Sequence, residues 1–355
     1  MTTYRIAVLP GDGIGPDVTN EAIKVLNRLE KMDETFKLDL ETFDWNSEYF
    51  LKHNTMMPED GLDQLKKFDA ILFGAIGDSR VPDEISIWQL IMPIRKQFKQ
   101  YVNMRPIKQL PGIKSPLKSD APIDFVVFRE NAEGEYSNIG GSLYDGQSQE
   151  MAIQNTVITA QGVERIAKYA FEYAQKNNVR KVTSATKSNA IIHSMKLWDT
   201  VAEKVANNYE GIELESVFID ALAAYFIQKP ESYEVVIASN LFGDILTDLG
   251  AALVGGLGVS PSGNINPERE FPSMFEAIHG SAPDIAGKGI ANPIAQIWSA
   301  AMMLEHLGRE DLATVVMNAI EKVIMQGQIV TPDLGGTSTT EQLGDAIANA
   351  IEEQF

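Results

Sequence analysis

Short apolar runs alternate along this chain with longer stretches whose apolar residues fall at helical spacing, which confines it to α/β architectures. Ile6–Leu9 reads as a strand, followed by a glycine turn and a helix in which Val18, Ala22, Val25, Leu26, Leu29 and Met32 recur on one face. Ala70–Phe73, Ile123–Phe128, Val179–Thr183, Glu213–Ile219 and Glu234–Ala238 read as further strands. The spacing predicts helices over Ile85–Phe98, disturbed by Pro93, and over Val163–Gln175, Ser194–Ala206, Leu241–Leu253, Pro293–Leu307, Leu312–Ile324 and Thr340–Glu352. Ser137–Thr159 departs from this rhythm. It is rich in Gly, Ser, Asn and Gln, then alternates through Met151, Ile153, Thr156 and Ile158, as a loop or an extended arm does.

At 355 residues the chain is long enough for two domains. Thirty Lys plus Arg against 49 Asp plus Glu give a formal charge of −19, which repels phosphate backbones and anionic lipid. Nucleic acid and membrane are therefore not expected partners, although a local cluster of positive charge can still bind a small acid. Cysteine is absent, which excludes disulfides, thiolate nucleophiles and thiolate metal sites. The N-terminus lacks a signal-peptide pattern, and no window approaches the roughly 18 apolar residues of a membrane span, so a soluble cytoplasmic protein is expected.

Two glycine loops invite a nucleotide reading. Gly11-Asp12-Gly13-Ile14-Gly15-Pro16 follows a strand and opens a helix, but Pro16 stands where the dinucleotide fingerprint needs its third glycine. A tight strand–helix turn with Pro in the first helical turn is the better reading. His279-Gly280-Ser281-Ala282-Pro283-Asp284-Ile285-Ala286-Gly287-Lys288-Gly289 resembles a phosphate loop with the wrong spacing, and Gly289 replaces the hydroxyl residue after the lysine. ATP hydrolysis by that route is not expected. The loop can still offer backbone amides to phosphates and side chains to a ribose and a base.

Asp244 and Asp248 lie four apart, so their carboxylates share one helix face and repel unless a cation lies between them. Oxygen ligands of this kind suit Mg²⁺ or Mn²⁺, against the plainer reading of a solvated acidic face. Asp220, ending the strand-like run from Ser216, is a third candidate ligand. Arg95, Arg105 and Arg129 offer the two-pronged geometry that grips carboxylates. Tyr136 and Lys187 are candidate proton donors or acceptors.

Leu9–Val18, Arg129-Glu130-Asn131-Ala132-Glu133-Gly134-Glu135-Tyr136, Asn240–Leu249 and His279–Lys288 together resemble the β-decarboxylating dehydrogenases, the isopropylmalate, isocitrate, homoisocitrate and tartrate/D-malate enzymes. The resemblance implies an isocitrate/isopropylmalate dehydrogenase-like α/β fold that is not a Rossmann fold. It would have a discontinuous cofactor domain, 1–100 plus 256–355, and a central domain, 101–255. An arm near 137–160 would lock a homodimer.

It also implies roles. Arg95, Arg105 and Arg129, with Trp88, would hold a small 2-hydroxy dicarboxylic acid. Asp244 and Asp248, with Asp220 contributed across the dimer, would bind Mg²⁺ or Mn²⁺. Lys187, also contributed across the dimer, would take the C2 hydroxyl proton, and Tyr136 would protonate the enolate after carbon dioxide leaves. Glu276, His279, Gly280, Ser281, Ala282, Asp284 and Asn292 would surround the cofactor. Asp284 would bind the ribose 2′-hydroxyl and repel a 2′-phosphate, which favours NAD over NADP. K⁺ is an additional cation in some relatives. Trp88 resembles the tartrate/D-malate members, so D-malate is the expected substrate with tartrate as a side substrate. 3-Isopropylmalate is the alternative within the family, and a catalytically silent ligand-binding protein the alternative outside it. Ala277 replaces the usual Pro before the His-Gly loop, and Ala132 a common Thr.

Overall fold

The first apolar run reaches well beyond Ile6–Leu9: Thr2–Gly11 is a strand in the computed structural model, which describes residues 2–118 and 121–355. The chain divides into two compact units. Unit 1 comprises Met1–Gln100, Pro106–Asp120 and Ala251–Phe355, and unit 2 comprises Tyr101–Arg105 and Ala121–Gly250. The chain passes between the units inside strand Val102–Lys108, at Arg105–Pro106, and again inside helix Asn240–Leu253, at Gly250–Ala251.

In unit 1, Thr2–Gly11 pairs in parallel with Phe36–Thr42 and with Ala70–Ala75. Ala70–Ala75 pairs in parallel with Ser273–Ala277, which pairs antiparallel with Pro261–Ile265. Every residue of Ala70–Ala75 is buried, as a strand covered on both faces must be, which explains its unbroken apolar run. Phe36–Thr42 instead alternates buried Phe36 and Leu38 with exposed Lys37 and Asp39. Helix Ile294–His306 is buried throughout Ile294–Leu304, so it is a core helix rather than an amphipathic one.

Helix Ile85–Phe98 is realised as one helical stretch with a widened middle. Asp83–Ser86 and Met92–Gln97 are α-helical, and Ile87–Ile91 between them is a π turn. Pro93 has no N–H to bond the carbonyl four residues back, and its ring crowds that carbonyl. The bond from the Met92 N–H to the Ile87 carbonyl widens the turn next to the proline, as π turns do inside helices.

In unit 2, Val235–Ala238 lies between Asp124–Glu130 and Lys181–Thr186, and Lys181–Thr186 is flanked by Glu213–Phe218, all parallel. The strand expected to run to Ile219 stops at Phe218. Asp220 therefore sits in the first turn of helix Ile219–Gln228 rather than at a strand end. Within Ser137–Thr159 an antiparallel ribbon pairs Gly140–Leu143 with Met151–Gln154, and all eight of its residues are exposed. A two-stranded ribbon is marginal alone in water, and this one holds Leu143 and Ile153 more than half exposed, at 56% and 53%. Among the described residues no helix is long and apolar enough to cross a membrane.

One half-buried base in unit 1 has a consequence for stability. The His306 ring lies 5.5 Å from that of Phe275, and burial, then the Arg269 charge, pushes its pKa down to about 4. The unfolded imidazole titrates near 6.5, so the unfolded chain takes up the proton first. This contribution is complete above that pH and is lost as pH falls from 6.5 toward 4. Chemical denaturation of wild type and His306→Gln across this window checks it. The wild type should lose up to about 3 kcal/mol more than the variant.

Candidate active site

Apart from the Lys187–Asp220 pair, the residues singled out in the sequence form one constellation in each unit. In unit 2 they converge on Asp244, carried by helix Asn240–Leu253. Arg129, at the end of strand Asp124–Glu130, donates from Nη1 to Asp244 Oδ1 at 2.5 Å. Arg105 Nη1 reaches the same oxygen at 3.3 Å, donates to Thr247 Oγ1 at 2.7 Å and lies 3.9 Å from Asp248 Oδ1. Tyr136 donates its hydroxyl proton to Asp244 Oδ2 at 3.1 Å. Both arginines are buried, at 2% and 6% exposure, so each needs its carboxylate.

The helix meets Arg129 closely because residue 243 is glycine: a Cβ there would fall 2.7 Å from Arg129 Cβ and Cγ. Burial, then the Asp244 charge, raises the Tyr136 pKa, so the phenol stays protonated at neutral pH. Burial, then Asp244, also raises the pKa of Asp248, against the pull of Arg105 and Arg129. The second carboxylate thus faces a like charge that the arginines only partly offset.

Two carboxylates on one helix face match the donor type of a hard divalent ion. Asp220 does not join them in one chain. Its Oδ1 accepts from Lys187 Nζ at 2.7 Å, and that hydrogen bond lowers its pKa. Among the described residues no group of three or more His, Cys, Asp or Glu could hold a metal ion.

Three residues outside the expected set position this cluster. Asn240 Oδ1 accepts from Arg129 Nε and Nη2 at 3.1 and 2.7 Å, while its Nδ2 donates to the Glu133 carbonyl at 3.1 Å. Glu135 accepts from Ser239 Oγ and from the Leu241 N–H at 3.0 and 2.9 Å, which ties the start of the helix to the segment bearing Tyr136. Thr247 holds Arg105. Asn240 and Glu135 both stand inside the recognised motifs, but only the fold shows that the two motifs grip each other.

In unit 1 the glycine turn braces the second loop. The Ile14 N–H donates to the Ser281 carbonyl at 2.9 Å, and a Cβ at Gly13, whose φ is +58°, would fall 2.0 Å from that oxygen. Asp12 secures the turn by accepting from Ser47 N and Oγ and from the Gly77 N–H. Ser281 is buried, Ala282 has a positive φ of 41°, and Gly280 and Asp284 are exposed. Burial lowers the His279 pKa; its Nδ1 lies 3.0 Å from the Gly280 carbonyl, and its buried Nε2 has no protein partner among the described residues.

Two expected cofactor residues also bind neighbouring protein groups. Asn292 Oδ1 accepts from the Ile294 N–H at the start of helix Ile294–His306, and Nδ2 donates to Asp333. Glu276 Oε1 accepts from Arg95 Nη2 at 2.8 Å and from Asn264 Nδ2 at 2.7 Å. Glu276 thereby orients Arg95. Trp88 lies on the π turn, half-buried, with Lys96 Nζ 5.1 Å from its ring centre.

Comparison with known proteins relates the chain to one family. The chain matches the isocitrate/isopropylmalate dehydrogenase family over residues 5–347. It is 50% identical to a D-malate dehydrogenase (decarboxylating) of Escherichia coli (strain K12), with 99% of each chain covered. It is 49% identical to a tartrate dehydrogenase/decarboxylase of Pseudomonas putida, with 98% of each covered. A crystal structure of isocitrate dehydrogenase from Methylococcus capsulatus matches with a TM-score of 0.90 at 34% identity, covering 98% of this chain and 99% of that one.

Proposed function

Because this chain belongs to the isocitrate/isopropylmalate dehydrogenase family and has an isocitrate dehydrogenase-like mixed α/β fold, we propose that it oxidises D-malate with NAD and decarboxylates the product to pyruvate, with tartrate as a side substrate. At the coarser level it is an enzyme of the decarboxylating dehydrogenase family acting on hydroxy acids. The observation that supports the decarboxylating chemistry is the convergence of Arg105, Arg129 and Tyr136 on Asp244, and the choice of D-malate rests on Trp88 and on the relatives of about 50% identity.

In this reading Arg105 and Arg129 hold a substrate carboxylate through charge-assisted bonds, and Arg95, oriented by Glu276, does the same. Lys187 takes the C2 hydroxyl proton, and the negative Asp220 beside it stabilises the ammonium that forms, while NAD, held by the loop of unit 1, would supply the hydride acceptor. Loss of carbon dioxide leaves an enolate, and the protonated Tyr136 supplies the proton to its carbon. A divalent ion at Asp244 and Asp248, completed by Asp220 of the partner subunit, would supply charge stabilisation for the developing enolate. The acidic, exposed Asp284 would accept from the ribose hydroxyls of NAD and would repel the 2′-phosphate of NADP.

Initial rates of NADH formation with Mn²⁺ and D-malate, L-malate, tartrate isomers, isocitrate and 3-isopropylmalate test the substrate. D-malate should be fastest, and a clear preference for 3-isopropylmalate would overturn that part of the reading. Asp284→Ala should narrow the NAD-over-NADP ratio of kcat/KM by about tenfold, the scale of one lost ribose interaction of ~1.4 kcal/mol. An unchanged ratio removes Asp284 from the ribose.

The exposed ribbon and the separate Lys187–Asp220 pair support a dimer whose site each subunit completes. Leu143→Asp with Ile153→Asp should convert it to monomers in analytical ultracentrifugation and abolish activity together. A fully active monomer would contradict the shared site.

A further inference from the structure

Outside the residues assigned to the reaction, unit 1 has a cavity of about 250 Å³ at the opposite ends of its strands from the cofactor loop. Tyr4 of Thr2–Gly11, Asp69 just before Ala70–Ala75, and Phe271 and Pro272 just before Ser273–Ala277 line it, together with His306 at the end of its helix. These strands run in parallel, and the proposed cofactor loop follows the other end of Ser273–Ala277. Five residue steps along Ala70–Ala75 separate the two ends by roughly 17 Å.

The lining combines cations, an open imidazole and apolar rings. Lys66 and Arg269 both line the cavity, and neither has a carboxylate partner among the described residues in a chain of net charge −19. Of the two acids present, Glu270 is already paired with Lys99 at 2.5 Å, and one oxygen of Asp69 accepts the Arg5 N–H at 2.7 Å. Phe68 and Phe271 form apolar walls, with the Lys66 ammonium 5.1 Å from the Phe271 ring centre. The His306 ring packs on Phe275, yet neither of its nitrogens has a protein hydrogen-bond partner among the described residues.

From this arrangement we propose that the cavity is a second ligand site, for a small organic anion that carries a phosphate or carboxylate group on an apolar or planar body. Lys66 and Arg269 hold the anionic group, the His306 N–H donates to it, and Phe68 and Phe271 cover the body. The size fits. A cavity of roughly 150 Å³ accommodates a benzene ring, so this one has room for a ring with an anionic substituent. Such a ligand also supplies the hydrogen-bond partner that the imidazole lacks.

Histidine-selective NMR of the full-length protein reads the site directly, because the chain has only four histidines. The probe is phenyl phosphate, with phenol as its uncharged counterpart, and His306→Gln identifies the resonance. Phenyl phosphate should move the His306 signal saturably, whatever happens at His279, and phenol should not. Lys66→Gln combined with Arg269→Asn should raise the half-saturating concentration at least tenfold. Asn is chosen because residue 269 has a φ of +56°, which it tolerates. Both residues are exposed, and an unchanged thermal midpoint shows that the variant is folded. A stationary His306 signal, equal saturation in the double variant, or an equal response to phenol would overturn the proposal.

Discussion

Asp244→Asn lowers kcat/KM for D-malate by between about a hundredfold and a few thousandfold, the largest single effect expected in this protein. Asp244 meets both buried guanidiniums and the phenol of Tyr136. Removing its charge leaves Arg105 and Arg129 buried without that counter-charge, a loss of about 3–5 kcal/mol for a broken buried pair. At 1.36 kcal/mol per decade this spans the stated range if the active geometry depends on the pair. It also takes away one of two helix carboxylates for a divalent ion, so half-saturating Mn²⁺ should rise in the same variant. Steady-state rates over a Mn²⁺ series measure both. A normal rate at saturating Mn²⁺ would mean that Asp244 serves only the metal and not the arginines.

Tyr136→Phe is the second large effect: kcat falls by about a hundredfold to ten-thousandfold, the usual range for a lost general acid, while KM for D-malate stays within about threefold. The ring lies 5.5 Å from the Arg129 guanidinium, a contact that phenylalanine preserves, so the loss is that of the proton donor. Since burial and Asp244 raise the phenol pKa above its ordinary 10, ionisation of Tyr136 sets no alkaline limb on kcat below that pH. A pH–rate profile checks this. A variant retaining wild-type kcat would place the proton donor elsewhere.

Much of the fold is legible in the sequence where burial is two-sided. Ala70–Ala75 and Val235–Ala238 are fully buried, so their composition alone marks them as strands. Pro261–Ile265 is equally buried but reads Pro-Ser-Gly-Asn-Ile, with no apolar run to see. Its polar groups are satisfied by partners remote in sequence: Asn264 donates to Glu276, and the Ser262 N–H donates to Ser299. Helix Ile219–Gln228 was hidden for the opposite reason, because Phe218-Ile219 extends the preceding apolar run without punctuation.

The site follows the same logic. Residues with chemical side chains in motifs, such as Arg129, Tyr136 and Asp244, stand out in the sequence and meet in unit 2. Asn240, Glu135 and Thr247 do not stand out, since an amide, a capping carboxylate and a helical hydroxyl carry no signature until their partners are placed. Asn292 adds a role the sequence does not show: its side chain holds the start of a helix and Asp333.

The most direct test of the central claim is the stoichiometry of one reaction: purified protein, D-malate, NAD and Mn²⁺, with NADH, pyruvate and carbon dioxide counted together. The account predicts one of each per turnover. NADH formed with oxaloacetate accumulating instead of pyruvate, or no NADH at all, would contradict it.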